Sequence, residues 1–126
     1  MSIIKTNVLS IVSYYNGNNL LFLSIVNMGN YKRISIEKAQ ELISDQATII
    51  DVRDQQSYSM GHIENAVHVS DENIQQFIDE TDKSKPLIIY CYRGNSSQDA
   101  AGYLSNKGFM NVYSMDGGFE EWSSNN

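Results

Sequence analysis

The stretch Leu87-Ile88-Ile89-Tyr90-Cys91-Tyr92-Arg93-Gly94-Asn95-Ser96-Ser97 runs from an apolar, β-branched segment into a small polar one, with the only cysteine of the chain at the junction. This pattern predicts a buried strand, a tight loop and the start of a helix. Ligands of open α/β sheets bind outside the carboxyl ends of the strands, which is where Cys91 falls. Gly94 and Asn95 tolerate left-handed backbone angles, so successive loop N–H groups can curl around an anion. The following helix adds the positive end of its dipole, and Arg93 adds a full charge. All three effects favour a thiolate, and the expected chemistry is nucleophilic attack by a Cys91 of depressed pKa. The same donors suit the extra negative sulfur of a persulfide. A lone cysteine without this setting reads more simply as a small buried hydrophobe.

A second group lies at the end of an earlier predicted strand, Thr48–Val52. Asp51-Val52-Arg53 would share the sheet edge of Cys91 if the sheet is parallel. Arg53 is then placed either to contact an anionic substrate or to pair with Asp51 and brace the site, and both readings stay open. His62, in Gly61-His62-Ile63, reads as structural. No Ser-His-Asp set is apparent, and two histidines without a cysteine or carboxylate cluster make a poor metal site. No metal and no organic cofactor is expected.

The elements that must position these residues follow from periodicity. Tyr31–Ile34, Thr48–Val52, Ala66–Val69, Leu87–Tyr90 and Asn111–Met115 read as short strands. Ser35 is placed to cap a helix with Ile36, Ala39, Leu42 and Ile43 on one face. Asp71 is placed to cap another, carrying Ile74, Phe77 and Ile78. Ser96 or Ser97 is expected to cap a third helix, running to about Lys107 and stopped by Gly108. Asp116-Gly117-Gly118 reads as a turn before a last short helix from Phe119 to Trp122. Strands alternating with helices predict a three-layer α/β domain with a mainly parallel sheet flanked by helices.

Composition bounds the rest. The 126 residues suit one domain, and 41% hydrophobic residues are enough for one core. The formal charge of −6 argues against nucleic acid or an acidic membrane as partner, so an anionic substrate needs a local cluster of donors. A single cysteine excludes an intramolecular disulfide, and a lone thiol fits a reducing, cytoplasmic setting. The first 28 residues differ in holding one charged residue, Lys5. Their apolar runs, Val8–Tyr15 and Leu20–Val26, each fall short of the ~18 residues a membrane helix needs. A secretory signal is disfavoured by a thin basic region and the lack of a small-residue cleavage site. Two readings of residues 1–28 stay open: a start-site artefact, with Met28 as the natural start, or an irregular or hairpin extension turning at Asn16-Gly17. The first is preferred, leaving residues 29–126 as the domain.

Asp51-Val52-Arg53, Tyr58 and Gly61-His62-Ile63-Glu64-Asn65-Ala66, the Cys91-Tyr92-Arg93-Gly94 loop, and Asp116-Gly117-Gly118-Phe119 with Trp122 resemble, in order and spacing, the signatures of the rhodanese family. The resemblance runs from about Tyr31 to Trp122. The loop from Cys91 to Ser97 is similar to that of the small single-domain thiosulfate sulfurtransferases of the GlpE type, which carry histidine where Arg93 stands. The resemblance implies a rhodanese fold, with Cys91 as the sulfur-carrying nucleophile and Tyr92, Arg93, Gly94, Asn95, Ser96 and Ser97 forming its cradle. It also implies thiosulfate as donor, and an external acceptor: cyanide, or a thiol such as thioredoxin or another dithiol. Related phosphatases and arsenate reductases need an arginine six residues after the cysteine, where Ser97 stands, so they are set behind. An inert rhodanese-like binding module is disfavoured by the intact cysteine, while a persulfide relay to a protein partner uses the same chemistry.

Overall fold

Three β-branched or apolar runs become the central strands of a five-stranded sheet, and two shorter runs its edges, in the computed structural model, which describes residues 9–16, 19–27 and 30–125. Two strands precede that sheet. β1 (Leu9–Asn16) and β2 (Asn19–Asn27) pair antiparallel, with Asn16 opposite Asn19, as a separate two-stranded sheet. The predicted turn residue Gly17 lies outside the described residues.

The main sheet is built from β3 (Lys32–Ile34), β4 (Thr48–Asp51), β5 (Val67–His68), β6 (Leu87–Tyr90) and β7 (Val112–Met115). Their order is β3-β7-β6-β4-β5, and every neighbouring pair is parallel. Parallel strands need covered crossovers, and four helices supply them: α1 (Ile36–Ser44), α2 (Gln55–Met60), α3 (Ile74–Glu80) and α4 (Ser96–Ser105); α5 (Gly118–Ser124) follows the last strand.

The two faces of β6 show how the layers form. Leu87 and Ile89 point into a core with Ile74, Ile78, Ala101 and Leu104, from α3 and α4. Ile88 and Tyr90 point into the opposite core with Ile36, Ala39, Phe119 and Trp122, from α1 and α5. Alternate side chains of one strand thus enter different layers, which is why the run is apolar throughout.

Two predicted caps differ from the structure. Asn73, not Asp71, precedes α3, and its side chain accepts from Ser70 N–H instead of capping the helix. Asn95 precedes α4 without a side-chain cap, and neither Ser96 nor Ser97 takes that place. By contrast, Ser35 Oγ accepts from Lys38 N–H at α1. α2 has no predicted counterpart; its six residues bury none of their side chains, and Asp54 caps it by accepting from Ser57 N–H.

Candidate active site

Because β4, β6 and β7 run parallel, their carboxyl ends deliver Arg53, Cys91 and Asp116 to one edge of the sheet. Cys91 is the residue directly after β6 and is only 4% exposed. The chain then turns through Gly94 at φ +96°, in the left-handed region. This fold-back aims two backbone donors at the sulfur, Gly94 N–H at 3.1 Å and Ser97 N–H at 3.3 Å. Ser97 N–H belongs to the first turn of α4, so the sulfur fills the capping place that Asn95 leaves empty. A negative sulfur there also meets the positive end of the helix dipole.

The Ser97 hydroxyl lies 3.3 Å from the sulfur. Burial alone pushes the Cys91 thiol up. Hydrogen bonds from the Ser97 and Ser96 hydroxyls, then from the N–H groups of Ser97 and Gly94, outweigh it and hold the thiol below its ordinary value. The result is a sheltered sulfur with no cationic side chain in contact among the described residues. Dipoles, not a formal charge, favour its ionised form.

Arg53 does not reach toward this sulfur. Its guanidinium clamps Asp51, with Nη2–Oδ2 at 2.7 Å and Nε–Oδ1 at 3.1 Å, and Nη2 donates again to the Gly61 carbonyl at 2.7 Å. It also lies over the Phe119 ring, 4.1 Å from the centroid. One buried arginine therefore ties the end of β4 to the end of α2 and to α5. His62 is exposed, stacks on Tyr58 and shares a 2.8 Å hydrogen bond with the Tyr58 carbonyl. Tyr92 is half exposed. Arg93 projects outward, 68% exposed at its side chain, and its Nε donates to Glu120 Oε2 at 3.0 Å. Asn95 and Ser96 are exposed on the outer turn of the loop.

A profile of the rhodanese-like domain matches residues 35–125. The chain belongs to the rhodanese family. It is 50% identical over 95 residues to the thiosulfate sulfurtransferase GlpE of Ectopseudomonas mendocina, covering 75% of this chain and 87% of the relative. It is 52% identical over 95 residues to the GlpE of Pseudomonas fluorescens strain SBW25, with the same coverage. Among solved structures it is similar to a rhodanese-related protein of Thermoplasma volcanium, with a TM-score of 0.66 and 25% identity over 75% of this chain and 93% of that one. A rhodanese-like domain protein of Staphylococcus aureus aligns with a TM-score of 0.63 and 25% identity, covering 72% and 90%.

The last rhodanese signature has a physical role that its sequence alone does not reveal. Phe119 N–H donates to the Cys91 carbonyl and Glu120 N–H to the Tyr92 carbonyl, each at 2.9 Å. α5 thus grips the nucleophile loop by its backbone, and the contact is so close that only glycine fits at 118. Three more residues support the loop without a signature of their own. Tyr31 Oη donates to Gln98 Oε1, and Gln98 Nε2 donates to the Gly94 carbonyl. Ser114, fully buried on β7, lies 2.8 Å from Ser97 Oγ. Only the three-dimensional register brings Tyr31 and Ser114 to the loop.

Proposed function

We propose that this rhodanese is a thiosulfate sulfurtransferase that carries sulfur as a persulfide on Cys91. One observation carries the reading: the sole cysteine sits at a helix N-terminus with two N–H groups and a hydroxyl on its sulfur. The names of the GlpE relatives support thiosulfate as the donor. In the first half-reaction the Cys91 thiolate attacks the outer sulfur of thiosulfate. The S–S bond to the sulfonate sulfur breaks, and sulfite leaves with the electron pair. In the second, an external nucleophile attacks the outer sulfur of the persulfide and the Cys91 thiolate departs. Cyanide leaves as thiocyanate, and a thiol leaves as a persulfide. The chain has no second cysteine to resolve the intermediate, so the acceptor is external, for example thioredoxin or another dithiol in the cytoplasm. Residues 29–126 are the catalytic domain in this reading, and residues 1–28 are an extension outside it.

Incubation with thiosulfate is expected to add the mass of one sulfur atom to the intact protein, and a dithiol is expected to remove it. An unchanged mass under thiosulfate, with turnover still measurable, would overturn the persulfide route.

Arg93 is the loop's one cation, and in this reading it attracts the sulfonate end of the donor. Its exposure and its bond to Glu120 limit the effect, because water and salt screen an exposed charge. Arg93→Ala is therefore expected to lower kcat/KM for thiosulfate by about threefold to tenfold, mostly through KM, with the loss shrinking as salt rises. A loss of the same size at low and high ionic strength would assign Arg93 a role in shaping the loop instead.

A further inference from the structure

We infer that Ser114 is a positioning residue: its hydroxyl, 2.8 Å from Ser97 Oγ, turns the Ser97 O–H toward the Cys91 sulfur 3.3 Å away and so readies the nucleophile. The inference rests on Cys91 as the sulfur carrier.

Ser114 is out of place by composition. It lies two residues after Val112 on the same face of β7, and Val112 belongs to the apolar core shared with α4. A fully buried hydroxyl on such a face is costly unless it is hydrogen-bonded, and an alanine would fill the place without that cost. Its side-chain partner is the serine that touches the nucleophile.

Proton counting then fixes the direction of the relay. A serine hydroxyl has one hydrogen to donate. If Ser97 gives its hydrogen to Ser114, it turns an oxygen lone pair toward the sulfur, which suits a thiol whose S–H donates to Ser97. If Ser114 donates to Ser97, the Ser97 hydrogen is free for the sulfur, which suits a thiolate. Loss of the Cys91 proton therefore reverses both hydroxyls together, and in the reversed state each bond polarises the next. Negative charge rests on the Cys91 sulfur at the start of the first half-reaction and returns to it at the end of the second. The relay thus serves attack on the donor and departure from the persulfide alike.

The only cysteine makes the test direct, because the ultraviolet absorbance of the thiolate reports one group. It is titrated in the parent, Ser114→Ala, Ser97→Ala and the double variant, with thermal unfolding as the check on folding. The charged side chains on the surrounding elements are Lys32 and Arg33 on β3, Asp51 and Arg53 by β4, Arg93 and Asp99 on the loop and α4, Asp116 after β7, and Glu120 and Glu121 on α5. All are common to the four proteins. Ser114→Ala is expected to move the thiolate midpoint upward and, below that midpoint, to slow alkylation by a haloacetamide by about threefold to tenfold. In the Ser97→Ala background the same replacement is expected to add nothing, because the link to the sulfur is already cut. Ser114→Thr keeps the hydroxyl and is expected to titrate like the parent. The relay is overturned by an unmoved midpoint in Ser114→Ala, by an equal shift with and without Ser97, or by a threonine variant that titrates like the alanine one. The carrier reading fails separately, through the absence of a thiosulfate-dependent mass gain in the parent.

Discussion

Cys91→Ser is expected to abolish sulfur transfer while leaving the fold in place. A serine hydroxyl keeps the two N–H donors, so the loop retains its hydrogen bonds and the helix its cap. What is lost is the reacting atom. At neutral pH a hydroxyl is almost wholly protonated, and no histidine lies within the loop to accept its proton. Transfer should fall by at least about four orders of magnitude, the scale seen when a covalent nucleophile is removed. Stability should change by no more than about 1 kcal/mol, as for a near-isosteric replacement that keeps its partners. Intact mass after thiosulfate and steady-state turnover test the first part, and thermal unfolding tests the second. Residual turnover well above background in a folded Cys91→Ser protein would rule out the covalent route and point to direct transfer between the small molecules.

The parts of this site that sequence makes legible are those fixed by neighbours along the chain. Leu87–Tyr90 is apolar on both faces, so it reads as a central strand, and Cys91 is necessarily at its carboxyl end. Gly94 marks the turn because few other residues adopt its backbone angles. Contacts made across the sheet are hidden. Ser97 reads as a cap for α4, yet its hydroxyl is directed at the sulfur, and the sulfur takes the capping place. Ser114 has a polar side chain that many surface residues share, and only the pairing of β6 with β7 gives it a role. Arg93 reads as the anion's partner, and Glu120, distant in sequence, meets it from α5. α2 escapes notice because Gln55–Met60 has no apolar stripe; Asp54, followed three residues later by Ser57, was its only signal. The two readings of Arg53 were equal in sequence. Its fork on Asp51 and its bond to Gly61 occupy the guanidinium with bracing, which leaves the loop dipoles as the electrostatic source closest to the sulfur.

That dependence on backbone dipoles makes Gly118→Ala the most damaging change expected outside the nucleophile. Gly118 has φ +58°, and a Cβ there would stand 2.4 Å from the Tyr92 carbonyl oxygen and 2.5 Å from that of Cys91. Both are backbone atoms, so no side chain can swing aside. α5 must move away from the loop, and the bonds from Phe119 N–H and Glu120 N–H to those two carbonyls stretch or break. Left-handed strain of about 1–2 kcal/mol and two hydrogen bonds of about 1 kcal/mol each put the loss of stability at roughly 3–4 kcal/mol. Activity should suffer more than the fold. With the loop released, the N–H groups of Gly94 and Ser97 no longer share one focus on the sulfur, and kcat should fall at least about a hundredfold well below the unfolding temperature. Gly61→Ala is the matched control. Its added Cβ would meet only the Phe119 ring, at an ordinary 3.8 Å, so stability and turnover should stay close to the parent's. If Gly118→Ala unfolded and turned over like Gly61→Ala, the grip of α5 on the nucleophile loop could not be what keeps the sulfur in focus.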